Sequence, residues 1–458
     1  MVSRFFRFIA SLAIAGVLLP SVALLQASQA QAPNLTQIRD AEIENTIRAY
    51  ANPIFKAANL DADAVRIVIV SDPSINAFVA GGQRLFLFTG LLMQATSAGQ
   101  VIGVIAHESG HMAGGHLARM QEELSRLSIE AILEALVTMG AAAGAGLSHG
   151  GVGSGHNYGG PSAGIAERNF LQYSRTQESS ADQAATVFLD RTHQSTRGLL
   201  TFSEMLLQRE RVAGLRPDPY LRTHPLTQDR VAFLQHHVDT SPYSNVPVSP
   251  QLEAMHARMV AKLYGFVDPA QAFRKYPASD TSLPARYARA IAYYRSGNAT
   301  EGLRILDGLI RENPTDPYFQ ELRGQILFEN QRVAESVSAY EKALSLLPRA
   351  DLIKLSLAQS LIELNDPNRT AQAVKLLNGV SEDERHGSYW RLMAVAYDRQ
   401  GNVGMRLLAQ AELSFARGDR VEAVQNARRA QQSLTKGTPA WQRAQDIEFL
   451  AKKRTDDN

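Results

Sequence analysis

Apolar residues in the first hundred positions follow two different periods. Ile43, Ile47, Tyr50 and Ile54 recur at helical intervals, which predicts an amphipathic helix over residues 36–58. Three short runs rich in β-branched and aromatic residues then predict strands over residues 65–70, 75–79 and 84–88. A Gly-Gly turn joins the second run to the third, which predicts a hairpin. Strands followed by helices indicate an α+β domain.

The apolar run over residues 101–106 has no polar face, as expected of a helix buried in a domain. It leads into His107-Glu108-Ser109-Gly110-His111, the H-E-x-x-H pattern. Histidines four residues apart share one helix face, where two neutral imidazoles can take adjacent corners of a tetrahedral Zn²⁺ site. Glu108 lies about 100° around the helix from His107, within reach of a water at the metal. The pattern predicts a zinc hydrolase; the alternative is a surface helix rich in His and Glu.

A catalytic zinc site needs a third protein ligand. The extended metzincin pattern would place a histidine where this chain has Leu117, and His116 points about 100° away from the required direction. Glu178 is the better candidate, because it begins Glu-x-x-Ala-Asp on a predicted helix. Asp182 lies one turn further on the same side, where it can accept the second N–H of a ligating histidine.

The second half of the chain is helical and repetitive. Pro314 and Pro348 are 34 residues apart, which is the tetratricopeptide (TPR) period. Aligning the two units on these prolines places Ala290 opposite Gly324, a small-residue position at which antiparallel helices interlock. Stacked units predict an all-α solenoid with a concave surface. Helical hairpins without the TPR spacing are the alternative.

The segment between the two metal-site motifs is unusual. Residues 127–147 are apolar and alanine-rich, which fits either an amphipathic helix over the active site or on a membrane surface, or a core helix. Residues 148–163 form a glycine-rich loop. Its His149 and His156 are predicted to be solvated rather than metal ligands.

Composition narrows the class of protein. The chain has 458 residues, 45% of them apolar and 20% charged, which indicates a globular protein with more than one domain. A net charge of +2 gives no reason to expect a nucleic-acid partner. The absence of cysteine excludes a thiol enzyme, a disulfide-stabilised fold and a lipidated N-terminal cysteine.

The N-terminus has the features of an export signal. Arg4 and Arg7 precede an apolar run, and Ala-x-Ala-like small residues follow near Ala30 and Ala32. An uncleaved membrane anchor is the alternative, because the run approaches spanning length. We therefore divide the chain into a signal peptide, a metallopeptidase domain, a linker with connecting helices and a TPR-like domain, over residues 1–32, 33–240, 241–282 and 283–455.

The two motifs together resemble the M48 family of gluzincin peptidases: His107-Glu108-Ser109-Gly110-His111 followed by the segment from Ser174 to Asp182. The resemblance implies one Zn²⁺ on His107, His111 and Glu178, with Glu108 as general base. It also implies that the histidine of His224-Pro225 lies near the metal, where it stabilises the oxyanion or occupies the open position in a latent state, with Arg230 in support. Finally, it implies an edge strand, containing Asn76, Ala77 and Phe78, that pairs with the substrate backbone.

The family resemblance further implies a biological setting. An exported M48 peptidase with TPR repeats is expected in the periplasm, as a soluble or membrane-associated protein that degrades misfolded or stalled outer-membrane proteins. The repeats would bind substrates or the outer-membrane β-barrel assembly machinery. A chaperone or scaffold with latent proteolysis is the second hypothesis, and a zinc hydrolase acting on non-peptide amides is the third.

Overall fold

The computed structural model describes residues 35–81, 83–116, 129, 132–133, 175–213 and 219–456. The predicted signal peptide, the loop with His149 and His156, and most of residues 127–147 lie outside these ranges. Among the helices that the structure describes, none combines the length and the apolar character needed to cross a membrane.

The N-terminal part contains a small mixed sheet and the helices around it. The strands are β1 (Thr36–Ile38), β2 (Arg66–Ser71), β3 (Ala77–Ala80) and β4 (Arg84–Phe88). They lie in the order β1-β2-β4-β3, with β2 parallel to β4 and the other pairs antiparallel. The helices are α1 (Ala41–Ala57), α2 (Thr89–Gln94), α3 (Ala98–Ala113), α4 (Arg175–Arg191), α5 (Arg197–Ala213), α6 (Pro219–Thr223), α7 (Gln228–Thr240) and α8 (Pro250–Val267).

Alternating side chains of the sheet enter two separate apolar clusters. Ile69, Val79 and Leu87 join the main core with α1 and α3. Val68, Val70, Phe78, Phe86 and Phe88 form the second cluster on the opposite face, together with Ile132 and Leu133. The described residues of the alanine-rich segment are therefore core residues, in line with the core-helix alternative at these positions.

Helix α3 passes through the core in direct backbone contact with its neighbours. A Cβ atom at Gly103 would lie 2.6 Å from the backbone nitrogen of Leu199 on α5, and one at Gly110 would lie 2.8 Å from the carbonyl oxygen of Ala181 on α4. A Cβ at Gly198 would lie 2.1 Å from the carbonyl oxygen of Gly99. Only glycine permits these approaches, so α3 is locked against both helices.

The predicted start of the first helix is wrong. The helix predicted over residues 36–58 begins at Ala41, because Asp40 caps it by accepting from Ile43 N at 2.9 Å. The preceding residues instead form β1, which pairs with β2. Helix α7 begins at Gln228, where the side chain of Thr227 is the cap. The predicted hairpin of the second and third runs is confirmed, as β3 and β4.

The remainder of the chain is helical. A short helix α9 (Pro269–Lys275) precedes five helical hairpins. They are α10 (Leu283–Arg295) with α11 (Ala299–Glu312), α12 (Pro317–Glu329) with α13 (Val333–Leu346), α14 (Asp351–Glu363) with α15 (Pro367–Asn378), α16 (Gly387–Arg399) with α17 (Val403–Ala416), and α18 (Arg420–Ser433) with α19 (Pro439–Asp456). The predicted fold, an α+β peptidase followed by a helical solenoid, is confirmed; the TPR assignment and the domain limits stay predictions.

A buried group of charges connects the first domain to the solenoid. Glu42 on α1 pairs with Arg258 on α8 at 2.7 Å and accepts the hydroxyl of Tyr287 on α10 at 2.8 Å. Lys262 Nζ lies 2.7 Å from Asp40 and 3.3 Å from Glu42. Burial opposes the charge of Lys262, yet these carboxylates keep its pKa well above the ordinary value. The start of α1 is thus tied to both α8 and the first repeat.

The glycine contacts of α3 generate a stability prediction. Gly103→Ala should lower the free energy of unfolding by about 1–3 kcal/mol, because the methyl group collides with rigid backbone rather than with a mobile side chain. Gly308→Ala on α11 is the matched control, since its Cβ would meet nothing nearer than Arg311 Nη2 at 3.8 Å. That variant should be stabilised by about 0.5–1 kcal/mol. Urea unfolding followed by circular dichroism measures both, and equal stabilities would contradict the close-contact geometry.

The buried charge group generates a second prediction. Lys262→Met keeps the length of the side chain but leaves Asp40 and Glu42 without their ammonium partner, which should cost about 3–5 kcal/mol of stability. Lys452→Met is the control, because its pair with Glu448 is exposed and should contribute less than about 1 kcal/mol. Thermal unfolding of the two variants beside the wild type is the measurement. A Lys262 variant no weaker than the Lys452 variant would contradict a stabilising role for the buried ammonium.

Candidate metal centre

Helix α3 directs the side chains of its two histidines toward one point. Ser97 caps α3 by accepting from Gln100 N at 3.3 Å, and the apolar residues that follow bury the helix on all sides. His107 and His111 are both buried, with their Nε2 atoms 3.1 Å apart. Two imidazole nitrogens directed at each other across this distance are the arrangement expected of two ligands of one ion.

Helix α4 supplies a carboxylate to the same point. Because Gly110 admits the backbone of Ala181, the first turns of α4 lie directly against the histidines. Glu178 Oε1 is 3.2 Å from His111 Nε2, and Glu178 Oε2 is 3.4 Å from His107 Nε2. The convergence expected from two motifs more than sixty residues apart is therefore present.

His224 is the fourth member of the cluster. Its Nδ1 is 3.1 Å from Glu178 Oε1, and its Nε2 is 3.2 Å from the carbonyl oxygen of Ala77. Tyr220 stacks on the imidazole with ring centroids 4.5 Å apart. His107, His111, Glu178 and His224 each offer one ligand atom, and these atoms all lie within 4.8 Å of one another.

Glu108 is buried beside this cluster. Neither carboxylate oxygen has a hydrogen bond among the described residues, and the nearest ionisable nitrogen, His224 Nε2, is 3.5 Å away. Burial raises the pKa of this carboxyl. A buried carboxylate without hydrogen bonds is costly and calls for an explanation. A water at a metal held by the adjacent residues would supply the missing partner, so the site fits a metal ion.

Asp182 and Arg230 pair with two members of the cluster, His107 and Glu178. His107 Nδ1–H donates to Asp182 Oδ1 at 2.8 Å, so the lone pair of a neutral His107 would lie on Nε2, facing the cluster. Arg230 donates from Nε and Nη2 to the two oxygens of Asp182, at 2.6 and 2.9 Å, and its Nη1 lies 2.6 Å from Glu178 Oε2. All of these side chains are buried.

The charges of these groups shift one another's pKa values. Burial alone would raise the pKa of Asp182, but its hydrogen bonds with Arg230 and His107 lower it below the ordinary value. Burial alone would lower the pKa of His107, but Asp182 and Glu178 raise it to about 10. Burial alone would also raise the pKa of Glu178, but His224, His107 and His111 lower it, so both carboxylates are held in the ionised form that binds a cation.

The predicted substrate strand is only partly as expected. Ala77 and Phe78 lie in β3, at one edge of the described sheet, whereas Asn76 precedes the strand. Ala77 directs its carbonyl oxygen at His224, while the ring of Phe78 stacks on Phe86 at 4.7 Å on the other face. Asn76 is buried, and its Oδ1 has no hydrogen bond within the described part of the chain.

His116 contacts the cluster. In the sequence it stands one residue before the position at which the metzincin pattern places a third histidine ligand. In the structure its Nδ1 lies 2.9 Å from Nδ1 of His111. The contact depends on the turn that ends α3, which the H-E-x-x-H spacing does not include. Sequence reasoning therefore missed the contact of His116 with this cluster.

These features together define a metallopeptidase site: a buried H-E-x-x-H helix, a carboxylate from a second helix, and a buried Glu108 that has no hydrogen bond among the described residues. Residues 37–238 match the model of peptidase family M48, and the chain carries an M48 peptidase domain over this range.

The similarity to individual proteins extends well beyond that domain. The putative β-barrel assembly-enhancing protease of Vibrio cholerae is 24% identical over 90% of this chain and 84% of its own length. The β-barrel assembly-enhancing protease of Yersinia pestis is 24% identical over 84% of this chain and 79% of its own. The Escherichia coli K12 protein of the same name is 22% identical over 82% of this chain and 76% of its own length. The chain is homologous to these proteases over most of its length, solenoid included.

Proposed function

We propose that the chain is a zinc endopeptidase in which His107, His111 and Glu178 hold the ion. The observation that carries this proposal is the convergence of the two Nε2 atoms and the Glu178 carboxylate in one buried site. Two imidazoles and one carboxylate form the ligand set typical of catalytic zinc in peptidases. Asp182 fixes the tautomer of His107, and Arg230 holds Asp182 and Glu178 in register.

Glu108 is the general base of the proposed reaction. Bound zinc would supply a Lewis acid that makes a water acidic and polarises the scissile carbonyl. Glu108, with both oxygens free of competing hydrogen bonds among the described residues, accepts the proton of the attacking water. It then delivers this proton to the amine of the leaving fragment. Its raised pKa suits both steps, because the group must be a base first and an acid afterwards.

His224 controls access to the site in this proposal. Its Nδ1 lies 3.1 Å from Glu178 Oε1, and the residue is the fourth member of the ligand cluster, so the ring would compete with a substrate carbonyl for the open position of a bound metal. The arrangement therefore corresponds to a resting form, and catalysis requires the ring to move away from Glu178. Once displaced, the imidazole is placed to stabilise the developing oxyanion.

The edge strand β3 lies next to this position. The Ala77 carbonyl is 3.2 Å from His224 Nε2, so a chain paired alongside β3 would pass the ligand cluster. Pairing through the backbone accepts substrates with little side-chain preference, which suits unfolded polypeptides. We assign Asn76, Ala77 and Phe78 to the segment that receives the substrate.

The homologous proteases suggest where the enzyme acts. Because they are named for β-barrel assembly and match most of this chain, we infer a role in the bacterial envelope. The enzyme would be exported to the periplasm through its N-terminal signal and would degrade misfolded or stalled outer-membrane proteins. The solenoid would bind these substrates or the β-barrel assembly machinery. The position of His224 in the ligand cluster also supports the second candidate, a scaffold with latent proteolysis.

Glu108→Gln tests the assignment of the enzyme. The variant should retain zinc, measured by atomic absorption after dialysis, because Glu108 is not a ligand. Cleavage of an unfolded test substrate such as casein should fall by at least about 10²–10⁴-fold, because the amide cannot accept the proton. Glu301→Gln, on the surface of the solenoid, is the matched control and should cleave normally. A Glu108→Gln enzyme with wild-type turnover would refute the role of Glu108.

The same variant separates the two candidate functions in cells. A zinc-loaded but inactive enzyme should retain its substrates, so outer-membrane proteins should co-purify with Glu108→Gln more than with the wild type. A strain that carries only this variant should show the envelope defects of a strain without the protein. Full rescue by Glu108→Gln would instead favour the scaffold, with proteolysis dispensable.

A further inference from the structure

Helix α3 ends in a glycine turn that brings the next residue, His116, toward the site. Gly115 has a φ of +60°, Gly115 N donates to Met112 O at 3.2 Å, and His116 N donates to His111 O at 3.2 Å. These two bonds define a Schellman motif, in which the second residue after the cap folds against the third residue before it. In most proteins that contact is hydrophobic. Here it joins the imidazoles of His116 and His111.

The two rings meet through their Nδ1 atoms, 2.9 Å apart, at an interplanar angle of 78°. A hydrogen bond between two imidazole nitrogens needs a proton on one of them and a lone pair on the other. His111 directs Nε2 toward Glu178 and His107, so a ligating His111 carries its proton on Nδ1. His116 must then accept with Nδ1 and carry its own proton on Nε2.

Two features keep His116 in this position. Gln177, the residue before Glu178, donates from Nε2 to the carbonyl oxygen of His116 at 2.8 Å. The ring also lies over Gly114, where a Cβ would come within 2.4 Å of His116 Nε2. The turn that carries His116 is thus tied to the helix that carries Glu178, and a side chain at position 114 would displace the His116 ring.

We propose that His116 is a positioning residue that fixes the tautomer and ring orientation of His111. It does for the second histidine of the motif what Asp182 does for the first. Partners of this kind maintain the geometry of a metal site from outside it, and their loss typically weakens metal binding by about 10–100-fold. The proposal rests on the proposed function, since it assumes that His111 is a metal ligand.

Metal affinity, measured by competition with a chromophoric chelator, tests the proposal without any need for activity. His116→Phe keeps a ring in the turn but removes the acceptor, and Zn²⁺ affinity should fall by about 10–100-fold. His116→Asn places Oδ1 where Nδ1 stood, so its affinity should return to within a few-fold of the wild type. His236→Ala, an exposed histidine on α7, is the control and should bind as the wild type does.

A second variant leaves His116 itself intact. Gly114→Ala forces the His116 ring away from its place, so it should weaken Zn²⁺ binding as His116→Phe does. The visible absorption spectrum of bound Co²⁺ should change in both variants, because His111 is no longer held in one orientation. Thermal unfolding of the metal-free proteins shows whether the turn still folds.

The outcomes separate this inference from the proposed function. Wild-type protein that binds no Zn²⁺ would refute the metal centre itself. Wild-type binding with unchanged affinity and Co²⁺ spectrum in His116→Phe and Gly114→Ala would overturn the role of His116 alone. Equal weakening in His116→Phe and His116→Asn would also overturn it, because an acceptor at this position would then make no difference.

Discussion

The close backbone contact of α3 with α4 and α5 is the constraint on which the site depends. Gly103 and Gly110 on α3, and Gly198 on α5, let the helices approach to distances that any Cβ at these positions would prevent. Helix α3 supplies both histidines of the cluster, and α4 supplies Glu178 and Asp182. A larger residue at position 110 would move α4 away from α3, and the Glu178 carboxylate would then no longer reach the two histidines. The glycines therefore set the distance between the groups that would hold an ion.

Such tight packing places many charged groups in a region without water, and nearly all of them are paired. Arg230 bridges Asp182 and Glu178, and the histidines take up the remaining carboxylate oxygens on the side of the ligands. Glu108 is the exception, buried and without a hydrogen bond among the described residues. A protein tolerates an unpaired buried carboxylate chiefly where a reaction uses it. This exception supports the proposal that Glu108 is the general base.

Sequence reasoning succeeded where one local period or one motif decided the structure. The H-E-x-x-H helix, the hairpin and the Glu-x-x-Ala-Asp helix all come from spacing within about twenty residues. It failed where tertiary contacts competed with a local pattern: residues 36–38 continue a helical pattern but pair with β2 instead. The contact of His116 with His111 was readable in part, because Gly114-Gly115 after a helix predicts a turn that folds the next residue back. The hydrogen bond between the two imidazoles could be identified only from the structure.

The buried charges at the start of α1 connect the site to the rest of the chain. Helix α1 packs Ile47 and Ile54 into the core that surrounds α3, while Glu42 at its other end binds Arg258 and Tyr287. Arg39, just before α1, pairs with Glu384 between the third and fourth hairpins at 2.7 Å. One helix is thus held by both parts of the molecule. The peptidase domain is therefore held in a defined orientation to the solenoid rather than on a flexible tether, because separating the two parts would break these ion pairs and this hydrogen bond.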